Sequence, residues 1–232
     1  MMQKEYKYLL MDLDGTLYDF DKAEDKALAD LIASWGLPAC SQKDIDAYHF
    51  FNDACWKALE KGEITKDRLK VKRFEDFLAY LKFEHDPVLA GEEYVDFLSQ
   101  NGFLLDGAEE LLQALSQRYE LYAVTNGIEK VQQGRWKASG IGRYFKGMFV
   151  SDSIGIAKPN LGYFEHVFAN IPGFERKKAL LIGDSLSSDM KGGVNASIDT
   201  LWYNPKHSVK PDDMPITYEI DDLRKIKDFL CN

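Results

Sequence analysis

Five short apolar runs, each bounded by polar or turn residues, constrain the fold of this 232-residue chain more than any other feature. They are Tyr8-Leu9-Leu10-Met11, Leu121-Tyr122-Ala123-Val124, Gly147-Met148-Phe149-Val150, Ala179-Leu180-Leu181-Ile182 and Thr200-Leu201-Trp202-Tyr203. Continuous apolar stretches of this length read as strands buried on both faces, the habit of parallel sheets. Helical patterns separate the later runs, over Ala108 to Arg118, Ile128 to Ser139, Asn160 to Phe168 and Leu186 to Asn195. Strand, helix, strand in repeated order predicts an α/β fold built on a doubly wound, mainly parallel sheet with a Rossmann-like core.

One connection breaks that rhythm. Between Asp19 and about Gly102 the sequence is rich in Ala, Leu, Lys and Glu and carries no strand signal. Helices are expected over Lys22 to Trp35, Gln42 to Glu60, Lys66 to Leu81 and Pro87 to Ser99, punctuated by Gly36-Leu37-Pro38, Gly62 and the turn from Glu84 to Pro87. The expected organisation is a catalytic core from residues 1–18 and 103–232, with residues 19–102 inserted as an all-helical cap. An insert leaving the first strand here is expected to sit over the strand ends, where it can exclude water and read a substrate. The aromatic set Phe50, Phe51, Trp56, Phe74, Phe77 and Tyr80 is expected to pack the insert's core, and the basic run Lys66, Arg68, Lys70, Lys72 and Arg73 to form a solvated helix face.

Composition narrows the partners. A formal charge of -9 repels polyanions, so a nucleic acid polymer or an anionic membrane surface is not an expected partner. Cys40, Cys55 and Cys231 are odd in number and widely spaced, which reads as free thiols in a reducing compartment. The opening segment runs straight into the first strand with an apolar run too short for a leader or a span, so the expected location is the cytoplasm.

Four strand ends carry chemistry-bearing residues. The first run ends in Asp12-Leu13-Asp14-Gly15-Thr16, and alternation along a strand would send both carboxylates to one side while Gly15 opens a tight turn. Two acids there suit a hard cation and an anionic substrate. The second ends in Val124-Thr125-Asn126-Gly127, where a hydroxyl, an amide and the donors of a helix start suit a phosphate oxygen. Lys158-Pro159 follows the third and can aim a point charge at an anion. The fourth ends in Gly183-Asp184-Ser185 with Asp189 a turn onward, a pair able to complete an oxygen shell around a divalent ion. Each site alone has an ordinary explanation as a helix cap, a dipole contact or a surface lysine. A doubly wound sheet, however, opens all four strand ends on one crevice, and that convergence favours a phosphate-and-metal site.

In these four motifs, and in the helical insert after the first, the chain resembles the haloacid dehalogenase superfamily of phosphohydrolases bearing a cap of the first type. The resemblance implies that Asp12 attacks phosphorus and that Asp14 protonates the leaving oxygen and later accepts a proton from water. Thr125, Asn126 and Lys158 would hold the phosphoryl group. Mg²⁺ would bind Asp12, the backbone carbonyl of Asp14 and Asp184, with Asp189 acting through water. An acid at position 14 argues against a dehalogenase, because the dehalogenases of the superfamily lack it. Thr125-Asn126-Gly127-Ile128, Tyr163-Phe164-Glu165, Gly183-Asp184-Ser185-Leu186 and Trp202-Tyr203-Asn204-Pro205 are most similar to bacterial pyrimidine 5′-nucleotidases. The expected partner is a small phosphorylated metabolite such as a nucleoside monophosphate, with the protein a monomer or a weak homodimer. A phosphoglycolate or sugar phosphate phosphatase and a sugar phosphate mutase are the alternatives that the core acids do not separate. A phosphoacceptor signalling domain fits less well, since its accepting Asp sits on a later strand.

Overall fold

Along β1 (Tyr8–Met11) every side chain is buried, and successive side chains enter opposite hydrophobic layers. Leu9 and Met11 join the layer of Leu180, Ile182, Leu121 and Ala123, whereas Tyr8 and Leu10 join that of Leu181, Tyr122 and Val124. A strand apolar on both faces must be covered on both. The computed structural model describes residues 5–231 and meets that requirement with helices on each side of the sheet.

After β1 come α1 (Phe20–Ser34), α2 (Gln42–Glu60), α3 (Lys66–Leu81), α4 (Pro87–Ser99) and α5 (Ala108–Leu115). Strand and helix then alternate through β2 (Glu120–Thr125), α6 (Glu129–Ser139), β3 (Gly147–Val150), α7 (Ser151–Ile154), α8 (Leu161–Ala169), β4 (Ala179–Gly183), α9 (Lys191–Asn195) and β5 (Asp199–Tyr203). The chain closes with β6 (Tyr218–Ile220) and α10 (Leu223–Cys231). The strands form one sheet in the order β3-β2-β1-β4-β5-β6, with every pairing parallel. That order reverses beside β1, so the crevice of the switch point opens past the carboxyl ends of β1 and β4. Leu111, Leu112 and Leu115 of α5 and Leu223, Ile226 and Leu230 of α10 cover one face; Tyr163, Phe164, Val167 and Phe168 of α8 cover the other.

Two compact units divide the chain, one of Asp21–Asn101 and one of the described residues on either side. Within the helical unit, Tyr48, Phe74, Phe77 and Tyr94 pack together in tilted and edge-on ring contacts, with Tyr48 and Tyr94 ring centroids 5.2 Å apart. Its helices begin where the sequence supplies caps. Thr65 accepts from the Arg68 N–H (3.2 Å), and Asp86 accepts from Val88 N–H (2.7 Å) ahead of a helix that starts at Pro87.

Several expectations are corrected. Phe74 and Phe77 are core residues, but Phe50 is 70% exposed and Tyr80 42% exposed. Arg68, Lys70 and Lys72 lie at the surface in ion pairs, yet Arg73 is buried and donates to Asn52 Oδ1 at 3.1 Å. The segment after β4 opens with a π-helical turn, Leu186–Met190, before α9. Lastly β6 and α10, for which no element was expected, follow an exposed loop that carries Pro205, Pro211 and Pro215.

Candidate active site

Asp12 is the first residue past β1, and its N–H still donates to Ile182 O at 2.9 Å, so the sheet itself fixes where the carboxylate starts. From the loop before α8, the buried Lys158 Nζ donates to Asp12 Oδ1 (2.6 Å), Asp189 Oδ1 (2.7 Å) and Val124 O (2.8 Å). All three ammonium protons are therefore spent. Asn126 holds the same lysine from behind: its Oδ1 accepts from Lys158 N–H and its Nδ2 donates to Lys158 O, each at 2.9 Å. The Asn126 amide, expected to meet phosphate, is thus committed to orienting Lys158.

Asp184 and Asp189 come from the end of β4 and the π-helical turn. Asp189 is fully buried, and its Oδ2 accepts from the Ser185 N–H at 3.1 Å. Trp202 Nε1 donates to the Asp184 carbonyl (2.8 Å), and the Thr16 hydroxyl lies between Asp12 Oδ2 (3.3 Å) and Asp184 Oδ1 (3.4 Å). One oxygen from each of Asp12, Asp184 and Asp189 falls within 4.8 Å of the others. Three carboxylates so close in a buried site are poorly compensated by one ammonium. Burial pushes the Asp12 carboxyl well above the ordinary range, against the pull of Lys158 and with the push of Asp189 and Asp184. Burial and then Asp189 raise Asp184 to about 7. Burial lowers the Lys158 pKa, but Asp12 and Asp189 outweigh it and the net direction is up. An all-oxygen donor set with surplus negative charge fits a hard divalent cation.

Asp14 goes elsewhere. Because β1 ends at Met11, the alternation of a strand does not extend to Asp14, which sits in a turn closed by Leu17 and Tyr18 N–H groups on Leu13 O, with Gly15 at φ +80°. Its carboxylate faces α6: Gln132 Nε2 donates to Oδ2 at 2.5 Å and Arg135 Nη1 to Oδ1. Gln132 Nε2 also donates to Thr125 Oγ1 (3.0 Å), which accepts a second bond from Gly127 N–H (3.0 Å). Both acceptor positions of the Thr125 hydroxyl are taken, so its proton is the capacity left for an incoming oxygen anion.

The site residues singled out in the sequence come from the strand ends, the loop before α8 and the turn after β4, and they form two groups, Lys158 with Asp12, Asp184, Asp189 and Asn126, and Asp14 with α6 and Thr125. Gln132 and Arg135 were not singled out in the sequence, and Thr16 and Trp202, although within quoted motifs, had no role assigned. The signal for the first two was a polar pair at i, i+3 on the buried face of α6 beside Val131.

A family model for haloacid dehalogenase-like hydrolases matches residues 6–197. The pyrimidine 5′-nucleotidase PynA of Streptococcus pneumoniae is 42% identical, over 97% of this chain and 95% of its own. The pyrimidine 5′-nucleotidase YjjG of Escherichia coli is 28% identical, over 98% and 99% of the two chains. Among solved structures, that of the HAD-hydrolase YfnB of Bacillus subtilis, bound to magnesium, superposes with a TM-score of 0.92 at 38% identity, covering 99% of this chain and 100% of that one.

Proposed function

The chain belongs to the haloacid dehalogenase-like hydrolases, and from that premise we propose that it is a Mg²⁺-dependent 5′-nucleotidase that removes phosphate from pyrimidine nucleoside monophosphates in the cytoplasm. One observation carries the mechanism: a buried carboxylate at the end of β1, held by Lys158, lies beside two further carboxylates, while the Thr125 hydroxyl at the end of β2 keeps its proton as a donor. The preference for pyrimidine nucleotides is supported by the names and extent of the two nucleotidase relatives.

Asp12 attacks phosphorus and forms an aspartyl phosphate as the bond to the leaving oxygen breaks. That bond's electron pair stays on the leaving oxygen, which takes the proton of the Asp14 carboxyl, so the nucleoside departs as an alcohol. Water then attacks the aspartyl phosphate, gives a proton to the Asp14 carboxylate and releases phosphate, restoring both acids. The Thr125 hydroxyl donates to a phosphoryl oxygen, and the Lys158 charge lies close behind Asp12. Asp12 and Asp184, with Asp189 and the Asp14 carbonyl, would hold Mg²⁺, whose charge offsets the repulsion between carboxylate and phosphate. Residues 19–102 act as the cap that selects the leaving group.

The test is phosphate release with Mg²⁺ from dUMP, dTMP, UMP, AMP, phosphoglycolate and hexose phosphates, alongside Asp12→Asn. Fast release from the pyrimidine monophosphates, at least about 10³-fold slower in the variant, is expected. Preference for phosphoglycolate or a sugar phosphate would discard the nucleotide reading. Activity of Asp12→Asn near wild type would discard the mechanism.

A further inference from the structure

The α6 residues Gln132 and Arg135 are both fully buried, and both donate to the Asp14 carboxylate. The Arg135 guanidinium lies 4.3 Å from the Tyr18 ring centroid and 5.5 Å from that of Phe20, with Nη1 on Asp14 Oδ1. Gln132 spends one amide nitrogen on both Asp14 Oδ2 and Thr125 Oγ1, while its own buried Oε1 has no hydrogen-bond partner among the described residues. Turning the amide over would set that oxygen against the Asp14 carboxylate, so the observed orientation is dictated by Asp14 and Thr125 rather than by Gln132's own satisfaction. Space is reserved for it as well: a Cβ on Gly127 would lie 2.2 Å from Gln132 Nε2.

We propose that Gln132 and Arg135 are positioning residues for the proton-transfer carboxylate of Asp14. Arg135 and Gln132 hold one oxygen each, which stops rotation of the carboxylate plane and keeps a lone pair of each oxygen open. Gln132 in addition ties Asp14 to the Thr125 hydroxyl, so the group that moves the proton and the group that meets the phosphoryl oxygen keep a set spacing. This inference rests on the proposed role of Asp14 as acid and base.

An acid matters most when the leaving oxygen is strongly basic. The test therefore compares kcat/KM for benzyl phosphate, which expels an alkoxide, with that for p-nitrophenyl phosphate, which expels a stable phenolate. Both probes are single-ring esters of similar size, and kcat/KM does not depend on the later hydrolysis of the intermediate. Asp14→Asn is expected to lose about 10²- to 10⁴-fold on benzyl phosphate and far less on the nitrophenyl ester. Gln132→Met and Arg135→Met are expected to lose about 10- to 100-fold on benzyl phosphate and under about threefold on the other, with KM little changed. Arg135→Lys should recover part of the loss, and Gly127→Ala, which displaces Gln132 without deleting it, should show the same selectivity. Both esters are measured on one preparation, so any misfolded fraction cancels in the ratio. Selective loss in Asp14→Asn with equal loss on the two esters in the α6 variants would overturn the positioning role alone. Equal loss in Asp14→Asn itself would overturn the acid role and this inference with it.

Discussion

Glu24, on α1, is a carboxyl buried in the helical unit, and its replacement by Gln should change how stability depends on pH. Its Oε1 accepts from Asn52 Nδ2 (2.8 Å) and Tyr94 Oη (3.3 Å), and His49 Nε2 lies 3.2 Å from Oε2. Burial raises the carboxyl from its ordinary 4.5 to about 7, with His49, Arg73 and Tyr94 pulling the other way. Below about pH 4.5 the group is protonated in both folded and unfolded chains. Through the window up to about 7 the folded chain keeps the proton and the unfolded chain has lost it, so stability falls as pH rises. At about 1.4 kcal/mol for each pH unit of that window, the loss is about 3 kcal/mol in all and about 2 to 3 kcal/mol between pH 5 and pH 8. Glu24→Gln keeps the acceptor for Asn52 and Tyr94 and carries no charge. Asp12 and Asp184 drift in the same direction, but they are common to both proteins and cancel in the difference. Urea unfolding followed by circular dichroism at pH 5 and pH 8 should therefore show the variant gaining about 2 to 3 kcal/mol on wild type across that range. A difference that stays constant with pH would refute the buried neutral carboxyl.

Lys158→Met leaves Asp12 and Asp189 without their ammonium and should destabilise the protein by about 3 to 5 kcal/mol in EDTA, less in millimolar Mg²⁺; thermal melts in the two buffers check it, and an equal loss in both would contradict a shared carboxylate cluster. Gly183→Ala would bring a Cβ to 2.4 Å from Asp189 Cγ, so the acid must move. It should cost about 1 to 3 kcal/mol and abolish the upward shift of the melting temperature by Mg²⁺; a Mg²⁺ shift equal to that of wild type would remove Asp189 from the ion's surroundings. Tyr163→Phe loses the hydrogen bond to Phe149 O (2.8 Å) under the β3 end of the sheet, and denaturant melts should show a loss of about 1 kcal/mol with the mechanism intact.

The parallel sheet and the helical insert are legible in the chain before it folds, because both rest on local pattern. Continuous apolar runs of four residues can be satisfied only between two covering layers, and Thr65, Asp86 and Pro87 mark helix starts by hydrogen-bonding rules that act within a turn. The four acids, Thr125 and Lys158 were legible for a related reason: each follows a strand, and a doubly wound sheet gathers strand ends at one edge. Which partner each group takes depends on the folded arrangement. Asn126 could have met an anion, yet its amide matches the backbone of Lys158, thirty-two positions away. Asp14 follows Asp12 by two, but the strand stops at Met11, so their carboxylates part, one to Lys158 and the other to Arg135 and Gln132. Arg73 was expected on a solvated helix face and Arg135 was not singled out in the sequence, yet both are buried because aromatic rings and polar partners from other segments surround them. Strand and helix periods are properties of neighbours along the chain, whereas the pairing of a buried charge is a property of neighbours in space, and only the folded chain brings those together.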